Sequence, residues 1–367
     1  MMKSINFDIR TFFFYLFIFF SLIAEYKFLN SSVISYVIAI FFIFYDCNKI
    51  ELNKLQIIFL LFFSFYFILL LYYSVDLVIT LKNIKFFLGS IIIYLYLSLN
   101  KNKLNYIYIF RIAYSLIIIE SFAVNTFIDQ SLIYHTPHKA EFFNFYSRPP
   151  SFGGIASLTG AGLVILYYYL HVYLNKLRYF DSIFFLISLV LLFSTTAFAI
   201  FYIIIIGIFF TKENKCYSDY GYLLLIILLS IIFLLVLNYF TDQYLSDTFN
   251  FQKITITYFL KIVTMTFEKW NDFFVTNDFS VNYLLGRQVL GIIRTSGDNG
   301  FLHLIDQTGI IGLVIFFLFI TIFTKNKQNY FFNLFLIILA NFHYFAFGNI
   351  MCLIFIIQLM MHHEIKE

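Results

Sequence analysis

The 367-residue chain is 62% hydrophobic and 12% charged, about half the charged share of a soluble domain, with 24 Lys and Arg against 20 Asp and Glu. This excludes a soluble globular enzyme, and the net charge of +4, spread along the chain, gives no footprint for nucleic acid. The three cysteines, Cys47, Cys216 and Cys352, form no CxxC pair and none falls in a loop expected outside the cytoplasm, so neither disulfides nor zinc or iron–sulfur sites are expected.

Apolar runs of membrane-crossing length recur from one end to the other, which predicts an all-α polytopic membrane protein forming one integral membrane domain over 1–367. The opening "MMKSINFDIRTFFFYLFIFFSLIAEYKF" has a basic start and no small-residue cleavage site, so it reads as an uncleaved first span. Spans are expected at about 7–25, 28–45, 55–73, 84–99, 106–124, 153–173, 180–195, 196–210, 221–238, 301–323, 330–345 and 347–361, about twelve transmembrane helices in all. Residues 180–210 and 330–361 are continuous apolar stretches. A single helix of about 31 residues would be about 46 Å long at 1.5 Å per residue, against a hydrocarbon core of about 30 Å. A tight hairpin therefore fits each better, with "STTAF" and "AFGNI" as the turns. The short loops "DCNKIELNK", "NKNKLN", "LNKLRYF", "TKENKCYSDY" and "TKNKQN" then all fall on one side. Their Lys and Arg mark that side, and both termini, as cytoplasmic.

Two non-cytoplasmic segments are enlarged, 125–152 and 239–300. In the second, Lys253, Thr257, Lys261, Thr264 and Glu268 recur at helical spacing, with Phe251, Ile254, Tyr258, Ile262 and Met265 on the other side. This reads as an amphipathic helix on the outer membrane surface, or equally as a packed helix within the loop.

The span interiors carry few ionisable groups. Arg111 and Glu120 lie near opposite ends of the fifth span, where snorkelling to the interfaces is expected. Asp306 stands about a turn and a half into the tenth span, where a carboxylate is costly and points to function. His303, three residues earlier, shares its face, and a His–Asp pair satisfied inside the bundle is the competing reading. Arg148 precedes Pro149 and Pro150 at the mouth of the sixth span. Gly153, Gly154, Ser157, Gly160 and Ala161 follow and allow close approach of a helix or of a lipid-linked ligand. Arg287 and Arg294 are two helical turns apart, and their guanidinium forks suit phosphate oxygens, whether of a ligand or of lipid headgroups. Asp298 fits either the N-cap of the tenth span or a general base. His135, His138 and Glu141 lack helical spacing and are not expected to hold a metal. No GxGxxG, Walker A, GxSxG or HExxH pattern is present, and no cofactor or metal is expected.

Two stretches, "SRPPSFGGIASLTGAGLVI" and "LLGRQVLGIIRTSGDNGFLHLIDQTGIIGLV", together with the span layout, resemble the O-antigen polymerase (Wzy-type) family and, more distantly, the related O-antigen ligases. The resemblance implies a membrane-glycosyltransferase-like fold with two enlarged periplasmic loops in the bacterial inner membrane. It implies a polysaccharide polymerase that moves the growing glycan from undecaprenyl diphosphate onto a new lipid-linked repeat unit. By the same resemblance Arg148, Arg287 and Arg294 bind the diphosphates of undecaprenyl-diphosphate-linked oligosaccharide, and Asp298 or His303 activates the acceptor hydroxyl. A flippase and a chain-length regulator are its implied partners, within a membrane-lipid setting. One departure stands out: many relatives carry Ser-Arg at the turn between the seventh and eighth spans, and here that turn reads "LLFSTTAFAI". The alternatives are an O-antigen ligase acting on lipid A core, a lipid-linked oligosaccharide flippase, and a structural membrane subunit. Ligases usually carry histidine where Asp298 stands, which favours the polymerase.

Overall fold

The computed structural model describes residues 9–24, 26, 31–100, 105–123, 151, 156–174, 177–192, 194, 197–198, 200–201, 264–265, 267–268, 270–271, 284–286, 300–324 and 349–361. Every regular element in them is helical: α1 Ile9–Leu22, α2 Ser31–Tyr45, α3 Lys54–Tyr73, α4 Leu77–Leu99, α5 Tyr106–Ala123, α6 Ala156–Tyr168, α7 Tyr179–Leu192, α8 Gly300–Phe323 and α9 Ile350–Met361. A 3-10 turn Cys47–Lys49 follows α2, and a π-helical turn Tyr169–Tyr173 extends α6. Among the described residues, Lys54–Tyr73, Tyr106–Ala123 and Phe301–Phe323 are each long and apolar enough to cross a membrane. The protein is an all-helical bundle of membrane type. The ninth and eleventh expected spans, and the eighth and both enlarged loops save for short pieces, lie outside the described residues.

Side-chain caps set several helix starts. The Asn53 side-chain oxygen accepts from the Gln56 backbone N–H at 2.8 Å while the Gln56 side-chain oxygen accepts from the Asn53 N–H at 3.0 Å, a reciprocal box that opens α3. Asp76 accepts from the N–H groups of Val78 and Ile79, so α4 begins at Leu77, seven residues ahead of its expected start at 84. The helix thereby includes Lys82, which the hydropathy reading placed in the preceding loop. Asn349 caps α9 by accepting from Met351 and Cys352.

All residues of α6 and α9 are buried, so these two helices form the middle of the bundle. At Gly160 on α6 a Cβ would come within 2.3 Å of the Ala197 Cβ. Here Gly160, within the small-residue run, serves close helix contact. By contrast α3 turns Leu55, Leu61, Phe65 and Ile68 outward, an apolar rim suited to lipid.

Contacts between helices fix their directions. Arg10 on α1 reaches Asp46 just past α2, and Ser21 reaches Ser35, so these two helices are antiparallel. Phe63 meets Phe87 and Gln56 meets Tyr94, so α3 and α4 are antiparallel. Phe59 meets Phe323 while Tyr66 meets Thr308, so α3 and α8 are antiparallel. The pairs Arg111–Asp181 and Tyr114–Ser188 make α5 and α7 parallel. The pairs Leu158–Cys352 and Tyr169–Gln358 make α6 and α9 parallel. Tyr26, just past α1, donates to Glu120 near the end of α5, which aligns those two. Tyr36 stands against Gly89 and Phe42 against Tyr96, so α2 and α4 are parallel, and Tyr106 meets Tyr169 while Phe110 meets Tyr167, so α5 and α6 are antiparallel. Helices α1, α3, α5 and α7 therefore run one way, and α2, α4, α6, α8 and α9 the other.

Two expected snorkelling residues are instead held inside the protein. Arg111 donates from Nε and Nη2 to the two carboxylate oxygens of Asp181 at 2.8 and 3.0 Å, and Tyr114 also donates to that carboxylate. Asp181 is buried at 2% exposure. Glu120 is buried too and accepts from Tyr26. Each carboxylate or guanidinium finds a partner on a different helix or at its end, so contact with a neighbour replaces extension to the interface.

Replacing Asp181 with alanine leaves the Arg111 guanidinium and the Tyr114 hydroxyl without this carboxylate. Since Arg111 is one-third exposed and water takes part of the load, a loss of about 1.5–3 kcal/mol is expected, the range for hydrogen bonds to charged groups. Thermal unfolding of the purified protein in detergent measures it, and Asp181→Asn, which keeps one acceptor, should lose less.

Candidate functional site

The tenth expected span is α8, and it is not a continuous helix. Gly309 has φ 73° and ψ 178°, which breaks the helix nine residues after its start at Gly300, about 14 Å along at 1.5 Å per residue. A side chain here would be strained by the positive φ. It would also collide, because a Cβ on Gly309 would stand 2.1 Å from the Leu284 carbonyl oxygen. The contact is reciprocal. Gly286 has φ 94°, and a Cβ there would stand 2.8 Å from the carbonyl carbon and oxygen of Gln307 and from the Gly309 nitrogen. The backbone of Leu284–Leu285–Gly286 is thus pressed against the broken turn, and Leu285 and Gly286 are buried there.

The break frees peptide groups, and α3 supplies the replacement. Tyr66 donates its hydroxyl to the Thr308 carbonyl. In an intact helix that carbonyl would accept from the N–H of residue 312. The tyrosine oxygen lies beside Gly312 as well, 3.4 Å from where its Cβ would be, so a side chain is brought against the ladder at the break. Gly312 allows this, since a Cβ on it would meet the Thr308 Oγ1 at 2.1 Å. Thr308 in turn donates its hydroxyl to the Leu304 carbonyl one turn back, at 2.9 Å.

Polar side chains gather on the segment before the break. Asp306 and Thr308 are buried at 2% and 1% exposure, and His303 and Gln307 are half-buried. The Gln307 amide nitrogen lies 2.7 Å from Nε2 of His303. The spacing of three put His303 and Asp306 on one face, whereas the observed ring contact of His303 is with Gln307, four residues on. That is the other neighbour an α-helical surface allows.

Of the residues singled out in the sequence, His303 is described and sits in this segment. Arg148, Arg287, Arg294 and Asp298 lie outside the described residues, as do His135, His138 and Glu141. Arg287 follows Gly286 directly in sequence. Tyr66, Gly286, Gln307 and Gly309 were missed. Glycine inside an apolar run was a visible signal for Gly309, but no sequence feature pairs it with Gly286 or with a tyrosine on α3. Among the described residues, no group of three or more His, Cys, Asp or Glu side chains stands close enough to hold a metal ion. The described part of the amphipathic segment is helical, with Thr264, Met265, Phe267 and Glu268 all exposed.

Tyr66→Phe keeps the ring and removes the hydroxyl, leaving the buried Thr308 carbonyl without this donor. A loss of about 1–3 kcal/mol is expected for such a group. Gly309→Ala adds both backbone strain and the clash with Leu284, so it should be the more damaging of the two. Thermal unfolding of each variant in detergent orders them, and equal stability of all three proteins would be inconsistent with this bond. Comparison of the chain with protein-family models, with curated proteins and with solved structures finds no match to any of them.

Proposed function

We propose that the protein is a membrane glycosyltransferase of the O-antigen polymerase type, acting at the periplasmic face of the bacterial inner membrane. The observation that carries this reading is the junction at α8. The stretch "LLGRQVLGIIRTSGDNGFLHLIDQTGIIGLV", which bears the stronger resemblance, begins at Leu284–Gly286 and returns at Gln307–Gly309 to pack backbone against backbone. Its two ends are joined at a helix break, and non-helical backbone at membrane depth is tolerated where protein buries it or where it lines a cavity.

Twelve spans with both termini cytoplasmic remain the proposed topology, and the helix directions support it. α7 and α8 run in opposite senses, so an even number of crossings separates them; spans at 196–210 and 221–238 supply two. α8 and α9 run in the same sense, so an odd number separates them; a span at 330–345 supplies one. Reading 180–210 or 330–361 as single spans breaks this parity. The end of the bundle holding Arg10, Lys49, Lys54, Arg111 and Arg178 is the cationic one and on this reading faces the cytoplasm. The start of α8 then faces the periplasm.

In the proposed reaction the acceptor sugar's hydroxyl oxygen bonds to the anomeric carbon of the growing glycan. The bond from that carbon to the diphosphate breaks, its electron pair leaves with the diphosphate, and the hydroxyl proton passes to Asp298 or His303. Diphosphate is already a good leaving group, so catalysis consists mainly of positioning and anion stabilisation, the work assigned to Arg148, Arg287 and Arg294. No cofactor enters this step.

A flippase is the second reading, and one observation favours it: Glu120 and Asp306 are carboxylates buried within helices of spanning character. One reconstitution separates the readings. Purified protein in liposomes is given an undecaprenyl-diphosphate-linked repeat unit, and the lipid-linked glycans are sized on a gel. Longer lipid-linked glycans are expected, with Arg148→Ala and Arg294→Ala each abolishing lengthening while still inserting into the membrane. Full activity in both variants would remove these two from the site. Translocation without lengthening would establish the flippase, and transfer only to lipid A core the ligase. A cysteine at position 294 should label with an impermeant maleimide from the periplasmic side; labelling from the cytoplasmic side alone would overturn the topology and the reaction with it.

A further inference from the structure

The ion pair between α5 and α7 uses only one edge of its guanidinium. A guanidinium presents five N–H donors in a planar fork. Arg111 turns its Nε and Nη2 edge to the two oxygens of Asp181. Its terminal edge, formed by Nη1 and the second hydrogen of Nη2, meets no acceptor among the described residues, and the side chain is 34% exposed. Arg178 stands beside it. The Arg178 backbone N–H donates to Asp181 Oδ2 at 3.2 Å, the same oxygen that accepts from Arg111 Nη2 at 3.0 Å, and the Arg178 side chain is exposed. The carboxylate itself is covered, and the Tyr114 hydroxyl adds a further donor to it at 3.3 Å. Two cations thus stand over one buried carboxylate, and positive charge is left in excess at this corner.

We propose that this corner binds the phosphate of an anionic phospholipid. Arg111 lies five residues past the start of α5, about 7.5 Å along it, and Asp181 is in the first turn of α7, so the charges sit near the ends of both helices, where headgroups meet chains. The terminal fork of Arg111 matches two phosphate oxygens, and Asp181 fixes its orientation from behind. Farther along the same two helices Ile112, Ile119, Phe184 and Ile187 are exposed, an apolar surface for the lipid's chains. A soluble phosphate shares the headgroup's chemistry but leaves that surface unused. A zwitterionic headgroup brings an ammonium as well. Asp181, the carboxylate at this corner among the described residues, is buried and already engaged by Arg111, Tyr114 and the Arg178 N–H, so it offers that ammonium nothing. The site lies in the leaflet where α5 and α7 begin, the cytoplasmic one on the topology proposed above, and binding there needs the membrane but not the polymerase reaction.

Native mass spectrometry of the full-length protein, released from detergent micelles after titration with phosphatidylglycerol or phosphatidylcholine, tests the site. The wild type should hold phosphatidylglycerol in preference to phosphatidylcholine. Arg178→Gln removes one cation and leaves the ion pair in place, and its affinity for phosphatidylglycerol should fall about fivefold, the effect of one basic side chain at a membrane surface. Arg111→Lys keeps the charge and a bond to Asp181 but has no terminal fork, so its loss should be at least as large. Lys54→Gln removes an exposed cation from α3 at the same end of the bundle and should bind as the wild type does. Equal binding of the two lipids would overturn the proposal, as would wild-type affinity in both site variants. A loss in Lys54→Gln as large as that in Arg178→Gln would reduce the effect to general surface charge and overturn it too. Displacement of the lipid by inorganic phosphate alone at millimolar concentration would assign the corner to a soluble anion instead. Thermal unfolding in detergent checks each variant, and if Arg111→Lys fails to fold, the comparison of Arg178→Gln with Lys54→Gln still decides.

Discussion

A peptide group released from a helix inside an apolar bundle has no water to turn to, and an unsatisfied one there costs several kcal/mol. The break at Gly309 is sustained by two devices. Tyr66 reaches from α3 to the break and donates to the Thr308 carbonyl, so a side-chain hydroxyl partners a peptide group there. The backbone of Leu284–Gly286 then fills the other side of the broken turn, with no room for a Cβ at either glycine. Remove the first and the buried Thr308 carbonyl loses this donor; remove the second and the broken turn loses the backbone packed on it. The position of α8 against α3, and of the loop segment against α8, follows from meeting this one requirement.

The same economy governs the rest of the bundle, where polar side chains are few and nearly all bond across helices or back onto their own. Ser21 and Ser35 bridge α1 and α2, Gln56 and Tyr94 bridge α3 and α4, and Gln358 and Tyr169 bridge α9 and the turn after α6. Apolar packing between helices in lipid is weakly directional, because the tails are as apolar as leucine. These bonds supply direction instead. Each pins one end of a helix to one end of its neighbour, and together with the ring contacts they order the described helices into two opposed sets. The ion pair of Arg111 with Asp181 does the same for α5 and α7 while bringing a buried carboxylate its counter-charge.

Much of the helix layout was legible in the sequence because the span length is imposed from outside: about twenty apolar residues are needed whatever the fold. α3, α5 and α8 fall within a few residues of their expected positions for that reason. The start of α4 was not legible from hydropathy, since Lys82 and Lys85 dilute the window while Asp76, a single capping side chain, decides where the helix begins. Arg111 and Glu120 were misread because their partners lie seventy and ninety-four residues away, and no local pattern reveals which helix end will stand beside them. At the site, the unusual density of polar residues in "FLHLIDQTG" was visible, but the pairing within it was not. Positions three and four apart are both neighbours on a helix, and the choice of Gln307 over Asp306 as the ring's contact belongs to side-chain rotamers, not to spacing.

The break also divides α8 by composition. Its N-terminal part holds His303, Asp306, Gln307 and Thr308, while the part beyond Gly309, "IIGLVIFFLFITIF", carries no ionisable side chain. The C-terminal part is an apolar anchor, packed through Phe316, Phe319 and Phe323 against aromatic rings of α3 and α4. The N-terminal part is positioned not by that packing alone but by Tyr66 and by the backbone pressed on Gly309. Had the helix run straight, its polar first turns would be placed by the anchor's tilt and rotation alone. With a break held from two sides, the orientation of those turns is uncoupled from the anchor and tied to α3 and to Leu284–Gly286. On the proposed reading this matters chemically. Gly286 is followed in the chain by Arg287, and His303 stands one turn and a half before Gly309, so the interlock of the two glycines links the chain next to an expected phosphate ligand to the helix bearing a residue expected to activate the acceptor hydroxyl. Backbone contact is the stiffest connection a loop can make, and stiffness is what a site that works by positioning demands.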